Sequence, residues 1–95
     1  MSQSKNPSAP QPEKIHVTRV QTGVRLEEKM LKVLKALADY YDLSLGDLLE
    51  GIVLHAFEGK SPFDQESLDR IASLKEIYGM HYDSIASHHF IETEE

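Results

Sequence analysis

The chain has 95 residues, a length that holds one domain plus tails. It contains no cysteine, which excludes disulfides and thiolate metal sites, and no apolar run approaches a membrane span or a secretory leader. The net charge is −6 but unevenly spread: Lys5, Lys14, Arg19 and Arg25 against Glu13 leave residues 1–26 at +3, while residues 27–95 carry −9.

Residues 1–14 hold Pro7, Pro10 and Pro12 among Ser, Gln and Asn, with almost nothing apolar. Such a composition does not offset its ordering entropy, so a disordered arm is expected, either touching phosphates or remaining a featureless tail. Residues 15–58 form the next unit and open on a period-two alternation. Val20, Thr22, Val24 and Leu26 share one phase; Arg19, Gln21, Gly23 and Arg25 share the other, which predicts a short β-strand over Val20 to Leu26. A single strand leaves its backbone N–H and C=O groups unpaired, and no convincing second strand follows. Pairing with a second copy of the chain is therefore expected.

Met30, Val33, Leu34, Leu37, Ala38 and Tyr41 recur at three and four, predicting a first helix over Glu27 to Tyr41. Glu27 and Glu28 suit its positive end, and Asp42 tolerates the left-handed backbone that a helix end requires. Lys29, Lys32 and Lys35 lie off the apolar stripe, as a solvated face or as phosphate contacts. Leu45, Leu48, Leu49, Ile52, Val53, Ala56 and Phe57 predict a second helix, with Ser44 as cap and Asp47 completing a capping box. Gly51 within it implies either close approach of a neighbouring helix or a tolerated imperfection.

Residues 59–95 form an extension. Ser61-Pro62-Phe63-Asp64 starts a third helix with Ser61 as cap. Phe63, Leu68, Ile71, Leu74, Ile77 and Tyr78 make its apolar face, with Leu68 and Ile71 expected on the core, and Gly79 stops it. A further short helix is expected within Asp83 to Phe90, before a frayed acidic end.

The order of strand, helix and capped helix resembles the ribbon-helix-helix family, the fold of the Arc and methionine repressors. Val24-Arg25-Leu26, the acidic Glu27-Glu28, the stripe from Met30 to Ala38 and the Leu43-Ser44-Leu45 turn carry the resemblance. It implies a mostly α fold with one short strand: an intertwined homodimer with a two-stranded antiparallel ribbon, plus here an extra C-terminal helix. The dimer core implied is Val20, Val24, Leu26, Leu34, Leu37, Leu48, Leu49, Ile52 and Val53. The ribbon would enter the major groove of double-stranded DNA and present Gln21, Gly23 and Arg25 to bases. Arg pairs with guanine O6 and N7, and Gln with adenine N6 and N7. Gly23 and Thr22 depart from the family, since glycine reads no base and Thr22 is polar on the inward phase. The family's phosphate clamp at the second helix start falls on Ser44, Leu45 and Gly46, beside Asp47, which opposes it. Lys14 and Arg19 are further phosphate contacts.

The expected function is that of a homodimeric, sequence-specific DNA-binding protein, a cytoplasmic transcriptional regulator of the repressor type. Threading Ala38 to Val53 as a helix-turn-helix gives a recognition helix with Asp47 and Glu50 and no Lys or Arg, electrostatically poor for a groove. The alternative from another class is a dimeric protein-interaction module, antitoxin-like or an adaptor, gripping a protein partner through the C-terminal helix; the acidic bulk and Gly23 favour it. No nucleophile–base set, glycine-rich phosphate loop or metal triad is visible, so neither an enzyme nor a cofactor is expected. His88 and His89 point apart on a helix, and Gly79 and Asp83 separate His81 from a common face, so no metal site is expected.

Overall fold

Three helices and one 3-10 turn make up the regular structure of residues 13–93, the part of the chain that the computed structural model describes. The arm expected over residues 1–14 lies outside the described residues except for its last two.

Helix α1 spans Glu28–Tyr40. Glu27 caps it from an extended backbone, its carboxylate accepting from the Lys29 N–H at 3.0 Å and the Met30 N–H at 2.9 Å. The chain leaves α1 through Asp42 at φ 61°, which returns the Leu43 N–H to the Ala38 carbonyl at 2.8 Å. Helix α2, Leu45–Phe57, begins where its cap was expected: the Ser44 hydroxyl accepts from the Asp47 N–H at 3.0 Å.

Helix α3 runs Gln65–Tyr78 and starts later than expected. Its cap is Asp64, which accepts from the Ser67 N–H at 2.9 Å, whereas the Ser61 hydroxyl closes a local turn onto Phe63. Gly79, left-handed at φ 72°, ends α3, with the Met80 N–H donating to the Lys75 carbonyl at 2.8 Å. The short helix expected near the C-terminus is the single 3-10 turn Ser84–Ala86.

Helix α1 is the central element, with α3 laid along it and α2 touching it more lightly. Val33, Leu37 and Ala38 of α1 and Leu48 of α2 are buried, with Leu34, Ile52, Phe63, Ile71 and Leu74 packed around them. Burying a side chain such as Leu37, 1% exposed, stabilises the fold by about 1.5–3 kcal/mol. The face of α3 that meets the core matches the apolar periodicity in part, since Ile71 and Leu74 pack there. Leu68 and Ile77 are exposed, while Ser67 is buried because the Tyr41 hydroxyl bonds to its Oγ. One turn on, the Arg70 guanidinium lies 3.5 Å from the Tyr40 ring centroid, a cation–π contact that fixes the same two helices. The third helix thus shares one core with the first two.

The strand and ribbon are corrected by the structure: the described residues contain no strand and no sheet, and they form three helices and not a ribbon-helix-helix architecture. Residues 13–27 are extended, but extension alone does not make a strand. A strand exists as a member of a hydrogen-bonded ladder, and among the described residues no second segment pairs with it. The alternation of Val20 to Leu26 reports side-chain phase and says nothing about pairing. No helix of the described residues is long and apolar enough to cross a membrane.

Candidate nucleic-acid interface

The extended segment does not stand away from the helices. Thr18 to Val24 run beside the first turns of α2, and between them lies a groove of about 940 Å³. Gln21 and Gly23 line it from the segment; Ser44, Leu45, Gly46, Asp47 and Glu50 line it from α2. Arg19 lines it as well, so six of the eight residues expected at DNA meet in one place. Lys35 of α1 lines the same groove. Its spacing off the apolar stripe left it as either a solvated face or a phosphate contact, and its place in the groove is compatible with both.

The floor of the groove is a helix N-terminus. The Ser44 side chain takes the Asp47 N–H, while the N–H groups of Leu45 and Gly46 have no partner among the described residues. Such groups, at the positive end of the helix dipole, can accept an anion. Asp47 and Glu50 stand at the same end and oppose one.

Glu50 instead engages Arg19. The guanidinium forks onto the carboxylate, Nε to Oε2 at 3.0 Å and Nη2 to Oε1 at 2.8 Å, and ties the segment to α2. The hydrogen bond and charge of Arg19 lower the Glu50 pKa, and those of Glu50 raise that of Arg19. Arg19 is thus held at the groove by an acid of its own chain.

Arg25 is not brought to this groove. It turns to the opposite side of the segment, where its Nη2 lies 2.6 Å from Glu92 Oε1. The shared phase of Gln21 and Arg25 does not become a shared face, because an unpaired extended chain is free to twist between them. Lys14 is exposed near the start of the described segment.

The residues expected in a dimer core divide into two groups. Leu37 and Leu48 are buried within the single chain, and Leu34 and Ile52 pack against them. Leu49 is half-buried, whereas Val20 (81% exposed), Val24 (71%), Leu26 and Val53 are exposed. Ile15, Val17, Leu54 and Phe57 are exposed as well. Val17, Leu49, Val53 and Leu54 border one apolar hollow between the segment and α2.

At the other end of the segment Glu27 receives the Tyr82 hydroxyl in addition to its two cap bonds. Burial pushes the Glu27 carboxyl up, but the Lys29 N–H, the Tyr82 hydroxyl and the Met30 N–H outweigh it and hold the group below its ordinary value. Burial and the Glu27 contact push the Tyr82 phenol up to about 12. Sequence reasoning missed Glu50, Tyr82 and Glu92 as partners. They lie 31, 55 and 67 positions from the residues they touch, and no local pattern marks them. Among the described residues, no three His, Asp or Glu side chains converge as a metal site. No family model, curated protein or solved structure matches the chain.

Proposed function

We propose that this chain works as a homodimer that binds double-stranded DNA and regulates transcription. Residues 14–25 and the N-terminus of α2 form the contact surface. What carries the reading is the juxtaposition of an exposed, cation-bearing extended segment with the unpartnered N–H groups of Leu45 and Gly46. Residues 14–25 carry Lys14, Arg19 and Arg25 and no acidic side chain, in a chain whose net charge is −6. Lys14, Arg19 and Lys35 meet phosphates. Gln21 and Arg25 are the side chains whose donor and acceptor pattern suits base edges. A ribbon in the major groove is no part of this reading.

Self-association is supported by the shape of the core. Four apolar side chains are buried among the described residues, whereas seventeen large apolar ones are exposed. Val20, Val24, Val53, Leu54 and Phe57 lie on the segment and on α2, and a second copy packed there removes them from water.

A fluorescence titration of labelled duplex at two salt concentrations tests the reading. Binding that weakens with salt, with a slope set by the number of phosphates engaged, is the expected result. Absence of binding at low salt refutes it. The second reading, a dimeric protein-interaction module, is favoured by one specific observation: Arg19 and Arg25 are both engaged by carboxylates of the same chain. In that case the exposed apolar side chains serve a protein partner, and duplex DNA does not bind.

A further inference from the structure

The partner of Arg25 is delivered by the C-terminal tail. Gly79 turns the chain out of α3, and Tyr82 then places its hydroxyl on Glu27, at the foot of α1. The Asp83 carboxylate takes the Ile85 N–H at 3.0 Å and nucleates the Ser84–Ala86 turn; His88, left-handed at φ 65°, continues the reversal. Phe90 comes back onto Tyr82, ring centroids 5.1 Å apart and edge to face, and Glu92 arrives at Arg25. The tail is a loop with both feet on residues 25–27.

Little else holds it. Beneath it lies an apolar cavity of about 750 Å³, lined by Leu26, Met30, Leu34, Phe63, Ile71 and Phe90 among others, so the loop spans space and does not pack on a filled core. Ile85 and Ile91 are 83% and 93% exposed. Both members of the Arg25–Glu92 pair face water, where an ion pair is weak and screened by salt. A contact of this kind is readily exchanged for another anion.

We propose that residues 80–93 form an autoinhibitory strap that keeps Glu92 on Arg25 and withholds this arginine from DNA. The proposal rests on the DNA-binding reading above. A guanidinium reaching a base edge or a phosphate must first release its carboxylate, and a carboxylate left at the segment repels the duplex. Because Glu92 is tethered to the same chain, it competes at a high effective concentration whatever the protein concentration. The strap sets a threshold: a polyanion at low salt displaces it, and a weaker site does not.

The test compares four proteins in a titration of labelled duplex at about 50 mM salt, where phosphate contacts are strong. Wild type is set beside Glu92→Gln, Tyr82→Phe and Glu58→Gln. Glu92→Gln removes the clamp. Tyr82→Phe removes the hydroxyl foot and leaves the net charge and the Phe90 stack in place. Glu58→Gln removes one charge at the far end of α2, where Glu58 meets Lys60. The expected result is that Glu92→Gln and Tyr82→Phe tighten binding about two- to fivefold, the range an exposed ion pair allows, while Glu58→Gln stays near wild type. If Glu92→Gln binds no tighter than Glu58→Gln, or Tyr82→Phe binds as wild type does, the strap is overturned and the DNA-binding reading stands. If none of the four binds duplex, that reading falls and the strap with it.

Discussion

Val24→Lys separates what the single chain needs from what a second copy needs. Val24 is 71% exposed in the folded chain, so a lysine there buries no charge and displaces no packed atom. Surface changes of this kind shift the chain's own stability by about 0.5 kcal/mol or less. In the proposed homodimer the same position lies beneath the partner, where an unpaired ammonium costs about 3–5 kcal/mol. At about 1.4 kcal/mol per decade, association weakens by roughly two to three decades or more. Sedimentation velocity across a concentration series reads the association, and circular dichroism on the same samples reads the helices. The expected outcome is a wild-type dimer and a Val24→Lys monomer with unchanged helical signal. A variant that dimerises as tightly as wild type refutes the placement of Val24 at the interface. A wild type that stays monomeric throughout the series refutes the homodimer itself.

Leu37→Ala should act within the chain, because Leu37 is the residue where α1 meets both Leu48 and the α3 face; a loss of about 2–5 kcal/mol is expected. Thermal melting should fall by about 10 °C or more, and a loss under about 1 kcal/mol contradicts the core described. Gly51→Ala is expected to stabilise α2 by about 0.5–1 kcal/mol in a denaturant titration, since a Cβ at Gly51 meets nothing within 4 Å; destabilisation shows that a partner fills that space. Acid should loosen the helix starts. Hydrogen bonds at their caps hold the Glu27 and Asp64 carboxyls below their ordinary values. Their contribution is present above the unfolded values of 4.5 and 3.8 and is lost as pH falls through the lower folded ones. Melting temperature should therefore drop between about pH 5 and pH 3, and a flat profile over that range counts against both caps.

Helix α2 was legible because its signals are local: Ser44 precedes the apolar run, and one serine hydroxyl satisfies an N–H three residues on. Asp42 was legible for the same reason, as a short polar side chain where the chain must turn left-handed. The start of α3 was not, since Ser61 and Asp64 both offer a cap and the choice depends on Ser61 turning back onto Phe63. Its buried face was legible in part: Phe63, Ile71 and Leu74 pack on the core as the periodicity predicts, whereas Leu68 is exposed. Apolar periodicity favours Leu68, but the position facing α1 belongs to Ser67, which is buried because Tyr41 lies opposite. The six expected residues of the groove fall in two local sets, Arg19, Gln21 and Gly23 on the segment and Ser44, Leu45 and Gly46 at the start of α2, and each set is legible as a local pattern. The pairing of Arg19 with Glu50 and of Arg25 with Glu92 does not follow, because a charge pattern states which residues are ionic and not which of them meet.

The most direct test of the DNA-binding claim is the salt dependence of duplex binding for wild type, Arg19→Ala and Arg25→Ala, measured by anisotropy against a pool of duplexes and against the tightest sequence recovered from it. Arg19→Ala should weaken all sequences alike and flatten the slope of log K against log salt by about one unit. Arg25→Ala should weaken the selected sequence by about fivefold or more relative to the pool. Equal binding by all three proteins, with no salt dependence and no preferred sequence, contradicts the account and leaves the protein-interaction module in its place.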